Sequence, residues 1–360
     1  MGRYILRRIA LIVPTLLGIV LVNFTIVQFA PGGPIEQIIA SVTVGQMSAT
    51  AGISGGGEPA AREIAAPHSR AASYGLPPEL RADPERLFGF YKPAHERFLT
   101  MVWNYARFEF GTSYFQDRPV VDLVIERLPV SISLGLWSLL LIYGISIPLG
   151  VAKAVRDGTR FDIWTSTVIF VGYAVPGFLF AILLIVVFAG GNYFDIFPLR
   201  GLVSDNWSEL SWPDRIADYF WHLTLPIVSL TIGGFATLTM LTKNSFLEEI
   251  SKQFVLTARA KGLAEKRVLY GHVFRNAMLI VIAGFPAAFV GILFTGSLLI
   301  EVIFSLDGIG LLSYEAVVKR DYPILFATVF VFSLIALVMQ LVGDLTYVLV
   351  DPRIDFETRE

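Results

Sequence analysis

Leu128-Pro-Val-Ser-Ile-Ser-Leu-Gly-Leu-Trp-Ser-Leu-Leu-Leu-Ile-Tyr-Gly-Ile-Ser-Ile-Pro-Leu-Gly-Val-Ala152 runs for 25 residues without Asp, Glu, Lys or Arg. A helix that crosses hydrocarbon needs roughly 20 apolar residues, because lipid tails offer no hydrogen bonds to an exposed backbone. Five further charge-free runs of comparable length flank this one: Ile9 to Ile35, Ile163 to Phe194, Tyr219 to Thr242, Asn276 to Ile300 and Tyr322 to Gly343. The last is expected to continue past Asp344 to Val350. A buried soluble helix can be apolar all round, but six such runs separated by charged loops do not make a water-soluble surface. Composition agrees: of 360 residues, 54% are hydrophobic and 16% charged, and the mean hydropathy is +0.64. The expected fold is all-α, a polytopic membrane bundle of about six transmembrane helices.

The net charge of -2 conceals where the basic residues sit. Residues 1–8, 153–162, 243–276 and the tail after Val350 hold fifteen Lys and Arg in 62 residues, whereas the opposite loops 190–222 and 305–322 hold four in 51. Basic loops stay in the cytoplasm, so both termini are expected there. The first run follows a basic start, yet it is too long for a secretory h-region and Pro31-Gly-Gly-Pro34 lacks a small-x-small cleavage pattern, so it reads as a retained anchor. There is no cysteine, which excludes disulfides and thiolate chemistry.

Four segments follow from this pattern: a cytoplasmic N-terminus with the first span (1–30), an extracytoplasmic insert (31–127), a five-helix core (128–350) whose loop 243–276 is cytoplasmic, and a tail (351–360). Within the insert, 45–78 is rich in Gly, Ala, Ser and Pro and cannot build a packed core. From Pro84 onward aromatic residues alternate with charges, as in amphipathic helices lying at a membrane interface or packing on the spans.

Gly and Pro recur inside the runs, among them Pro148, Pro176, Gly177, Gly284 and Pro286, where they permit kinks and close helix approach. Ionisable residues are nearly absent at membrane depth; only Glu301 and Asp344 come close. A carrier driven by protons or sodium usually buries such a group on its pathway, so the composition argues against one. Candidates for pathway lining or gating are Tyr143, Tyr173, Pro176, Glu301, Asp307 and Gln340. Glu301 and Asp307 flank a turn containing Gly308 and Gly310, where they shape a gate or cap the chain. The four histidines, at 68, 95, 222 and 272, have no metal-ligand spacing.

The loop between the fourth and fifth runs reads Phe254-Val-Leu-Thr-Ala-Arg-Ala-Lys-Gly-Leu-Ala-Glu-Lys-Arg267, then His272-Val-Phe-Arg-Asn-Ala277. Leu256 to Lys261 is expected to form a short helix that stops at Gly262, because glycine accepts the left-handed conformation. So short a helix needs a partner surface. Small Ala258 and Ala260 would allow close docking, and Arg259 and Lys261 could meet acidic groups. A plain topogenic loop, or one that binds anionic lipid, fits the residue types as well.

Thr257-Ala-Arg-Ala-Lys-Gly-Leu263, followed by His272 and Arg275-Asn-Ala277, resembles the EAA loop of binding-protein-dependent ABC permeases in the form used by the dipeptide and oligopeptide branch. The broad motif has a Glu and two Ala before its Gly; here those positions hold Leu256, Thr257 and Ala258, with Gly262 matching. Peptide-branch members share that departure. Further similar stretches, in order, are Ala30-Pro-Gly-Gly-Pro34, Phe110-Gly-Thr-Ser113, Pro176-Gly-Phe178, His222-Leu-Thr-Leu-Pro226, Arg320-Asp-Tyr-Pro323 and Asp351-Pro-Arg353. The usual Pro-Gly-x-Gly is replaced by Leu306-Asp-Gly-Ile-Gly310, which, with Phe115-Gln-Asp-Arg-Pro119 and the long insert, looks like the YejB-type subfamily.

That resemblance implies the type I importer permease fold in a bacterial inner membrane. It also implies a second, homologous permease as heterodimer partner, an ABC ATPase that uses ATP and Mg, and a periplasmic binding protein delivering oligopeptides or compounds of the microcin C kind. Residues 257–263 would couple to the ATPase. Membrane lipid is the remaining partner; no nucleic-acid binding is implied. No Gly-Lys dipeptide occurs in the chain, so a phosphate-binding Walker A loop is impossible and ATP would be hydrolysed elsewhere. The rivals are an ion-coupled peptide carrier and an intramembrane enzyme; the latter needs convergent nucleophiles or metal ligands, which the runs lack.

Overall fold

The computed structural model describes residues 2–29, 93–190, 193–292 and 297–350. The Gly-rich 45–78 stretch, the Pro31 to Pro34 motif and the tail 351–360 lie outside them. Apart from an isolated antiparallel bridge between Thr112 and Pro119, the described regular structure is helical. Among the described residues, five helices are long and apolar enough to cross a membrane, or six when one bent pair counts as a span.

The first run lies in helix α1 (Gly2–Phe29), and α2 (Ala94–Ala106) follows in the aromatic part of the insert. The run quoted first forms the middle of α3 (Val120–Val155), which keeps Pro129 and Pro148 inside it. The third run departs from the expectation of one continuous span: α4 (Arg160–Ala174) and α5 (Gly177–Phe188) meet at 91°. Pro176 is the cause. Its ring disfavours helical geometry at the preceding residue, and Val175 accordingly has φ -86° and ψ 118°.

The fourth run extends into α6 (Trp212–Ile250), which ends just before α7 (Gln253–Ala260). The fifth also differs from expectation. Its helix starts earlier, in the charged turn α8 (Glu265–Val268), passes through one π turn at Leu269–Val273 and continues as α9 (Phe274–Ala283) and α10 (Phe285–Gly291). The end of the run is a separate helix, α11 (Ser297–Ile303). After α12 (Ile309–Lys319), α13 (Tyr322–Val350) runs past Asp344 to Val350.

Residue contacts divide the chain into two compact units, one of Met1–Val13, Asp122–Glu315 and Thr328–Glu360, the other of Pro14–Val121 and Ala316–Ala327. In the second unit, Tyr105 packs edge-on against Phe110, with ring centroids 5.0 Å apart, and Phe24 against Phe98 at 5.5 Å. The Ser113 hydroxyl donates to Asp321 Oδ2 at 2.5 Å and accepts the amides of Phe115 and Gln116. That bond ties the Phe110 to Ser113 motif to the Arg320 to Pro323 motif. Burial pushes the Tyr105 and Tyr114 hydroxyls above the usual phenol range.

Among the described residues, the first unit holds two apolar cores. One gathers Ile142, Val151, Leu238, Phe246, Val268 and Met278; the other Leu134, Ala181, Leu223, Ile300, Phe304 and Leu306. Helices α3 and α6 cross at Gly150, where a Cβ would lie 2.6 Å from Thr242 Cβ and 2.8 Å from the Thr239 carbonyl oxygen, so only glycine fits. Asp344 joins α13 to α1: Tyr4 donates its hydroxyl to Asp344 Oδ2 at 3.0 Å, Arg8 Nε donates to that hydroxyl, and Arg8 pairs with the same carboxylate at 3.0 Å. Large apolar side chains such as Trp164, Val168 and Val171 stay exposed on α4, as expected where lipid or another protein, rather than water, is the neighbour.

Candidate coupling site

Helix α7 is short but anchored. Val255 and Ala258, one turn apart, are buried in the core of Phe246, Val268 and Met278, so hydrophobic packing supplies what eight residues of hydrogen bonding cannot. The end of α7 is closed by the amides of Lys261, Gly262 and Leu263, which donate to the carbonyls of Thr257, Arg259 and Ala258. Gly262 has φ +75°, the left-handed conformation in which a Cβ is strained. Leu263 packs, half-buried, against the same core.

Two expectations for this helix change. Ala258 faces its own core and is not free for docking, because the three-residue spacing from Val255 puts both on the inner side. Arg259 is paired within the chain: its Nε donates to Glu265 Oε2 at 3.1 Å, and its Nη2 meets the other carboxylate oxygen. The outward face therefore consists of Leu256, Thr257, Arg259 with its Glu265, Ala260 and Lys261. Leu256 is 59% exposed. An exposed leucine beside a lysine can seat an apolar anchor in a partner's groove while the charge meets an acidic rim.

The six pathway candidates lie on separate elements. Tyr143, on α3, donates to the Val281 carbonyl at 3.3 Å and stacks edge-on against Phe285. Tyr173 and Pro176 are exposed on either side of the α4 to α5 bend, and Gln340 is exposed on α13. Glu301, on α11, is fully buried; its Oε1 accepts from the Ser131 hydroxyl and its Oε2 from the Leu311 amide, both at 2.8 Å. Asp307 is exposed and paired with Arg127.

A cluster of charges escaped the reading of the sequence. Lys153, Asp157, Asp162 and Lys243 each sit at or just beyond the end of a charge-free run, and in the structure they converge next to Val151, Ala154 and Phe246 of the core that seats α7. The available signal was their position on loops of the same expected side.

Residues 146–356, which include α7, match the family described as binding-protein-dependent transport system inner membrane component, and the chain belongs to that family. Along its full length it is 60% identical to the peptidoglycan transport system permease protein YejB of Agrobacterium fabrum (strain C58), covering 100% of both chains. It is 57% identical, again over 100% of both, to the inner membrane ABC transporter permease protein YejB of Escherichia coli O157:H7. The oligopeptide transport system permease protein AppB of Bacillus subtilis (strain 168) is 32% identical, with 99% of this chain and 100% of that one covered. The chain is thus an inner-membrane ABC importer permease of the YejB type, working with an ATPase and a binding protein.

Proposed function

We propose that this chain forms half of the translocation pathway of an ATP-driven importer of oligopeptides or peptide-bearing compounds. A second, homologous permease supplies the other half, a periplasmic binding protein delivers the substrate, and a separate ATPase uses ATP and Mg. The observation that carries the coupling is α7: a helix locked to the bundle through Val255 and Ala258, with Leu256, Thr257 and Lys261 outward and Gly262 ending it in a left-handed turn. As the ATPase dimer closes, residues 257–263 move with it and tilt the spans; the α4 to α5 bend at Pro176 is one place where they articulate. Both termini and α7 share the cytoplasmic side in this proposal, a reading supported by the excess of Lys and Arg in the segments on that side.

The names of two relatives support a peptide substrate. AppB is an oligopeptide permease and the Agrobacterium protein a peptidoglycan permease, and peptide is the chemistry that oligopeptides, cell-wall fragments and microcin C-like antibiotics share. Tyr143, Tyr173 and Gln340 offer neutral hydrogen-bonding groups, suited to varied side chains. Uptake of a labelled oligopeptide by cells is expected to stop with vanadate and to survive an uncoupler while ATP is maintained. Loss with the uncoupler alone would instead establish an ion-coupled carrier.

A further inference from the structure

The charged cluster adjoins the core that seats the coupling helix, through Val151, Ala154 and Phe246, and includes none of the outward residues of α7 or the pathway candidates. Lys153, in the last turn of α3, is fully buried. Its three N–H donors go to the Asp162 carbonyl at 2.9 Å, the Thr165 hydroxyl at 2.9 Å and the Ser166 hydroxyl at 2.7 Å. The same ammonium also approaches Asp162 Oδ1 at 2.9 Å as an ion pair. Asp162, in the first turn of α4, takes Lys243 of α6 on its other oxygen at 2.7 Å, together with the Gly158 amide at 3.2 Å. Lys243 also reaches Asp157 at 2.7 Å, in the turn that joins α3 to α4.

Two ammonium groups and two carboxylates thus cancel, and one carboxylate bridges three helices. Buried charge is costly unless paired, so these groups stay where they are only while the helices keep their mutual positions. The placement is specific. Val151 and Ala154, beside Lys153, belong to the apolar core that holds Val255 and Ala258, and so does Phe246, one turn beyond Lys243. The core that holds α7 thus includes immediate neighbours of the clasp on α3 and α6.

We propose that Lys153, Asp162 and Lys243 are positioning residues for coupling: they clasp the α3 to α4 turn onto α6, so that displacement of α7 moves α3, α4 and α6 as one body. Without the clasp, α6 would follow α7 while the turn at 156–159 yielded, and the movement would not reach the α4 to α5 bend. This inference rests on the coupling role proposed for α7.

The test uses the assembled importer carrying Asp162→Asn, which keeps the shape of the side chain and removes its charge. Peptide uptake per assembled complex should fall about tenfold, within the range of a typical coupling free energy, while ATP hydrolysis changes by less than about twofold. Backbone hydrogen exchange over 153–166 should quicken. Lys243→Met should behave alike and Lys243→Arg should retain uptake, since a guanidinium can bridge the same two carboxylates. Uptake that falls only with the amount of complex would reduce the cluster to a folding element and overturn the proposal, and so would exchange that is unchanged. Parallel loss of hydrolysis and uptake would place the defect in ATPase docking and overturn it equally. If the unmodified complex hydrolyses ATP but imports no peptide, the substrate reading falls alone and the exchange arm still decides the clasp.

Discussion

Gly262→Asp is expected to abolish uptake while leaving the chain inserted in the membrane. The φ of +75° costs an L-residue about 1–2 kcal/mol, and about 1.4 kcal/mol already shifts an equilibrium tenfold. Nothing lies within 4 Å of the position a Cβ would take, so the bundle itself is undisturbed and the strain falls on the end of α7. The new carboxylate also enters a surface where Lys261, Lys266 and Arg267 are exposed, opposing any acidic partner. Uptake should drop at least about tenfold, and less ATPase should copurify with the permease. Retention of both would remove α7 from the coupling path.

Replacing Glu301 by Ala should have the largest effect on stability. The carboxylate is fully buried and receives the Ser131 hydroxyl and the Leu311 amide; Ser131 in turn accepts the Ile309 amide at 2.9 Å. Gly308 and Gly310 make room for it: a Cβ on Gly308 would fall 2.2 Å from Glu301 Cδ. Alanine leaves those buried donors without their acceptor and opens a cavity, at a cost of about 3–5 kcal/mol. Thermal unfolding of the detergent-solubilised permease should show a clearly lowered midpoint for Glu301→Ala and a smaller shift for Glu301→Gln, which keeps one acceptor oxygen. Equal midpoints for Ala and the unmodified chain would show that the Gly308 to Gly310 turn holds itself.

Much of this architecture was legible from charge-free runs, because hydrocarbon tolerates only closed hydrogen bonding and the length of a run is itself the signal. Direction within a run was not. Ile163 to Phe194 reads as one apolar stretch, yet Pro176 turns it through 91°, and apolarity says nothing about how sharply a proline bends a chain. At the coupling site, the stop at Gly262 could be read because a left-handed turn after a basic helix end favours glycine. The inner face of α7 could not, since Val255 and Ala258 differ little in character from the outward Leu256 and Ala260. Glu301 and Asp162 were obscured for a different reason. Their partners are remote in sequence, Ser131 by 170 residues and Lys243 by 81, and pairing at that distance is a property of the packed helices.

Because the chain contains no cysteine, coupling through α7 can be probed with a single introduced thiol. Thr257 is exposed on the outward face of α7, so Thr257→Cys places that thiol where the ATPase should dock. In membranes that hold the co-expressed importer, a short heterobifunctional cross-linker on this thiol is expected to capture the ATPase subunit, with a yield that changes when ATP and vanadate trap the closed dimer. A fully labelled thiol that captures no ATPase, in a complex that still imports peptide, would contradict coupling through this helix.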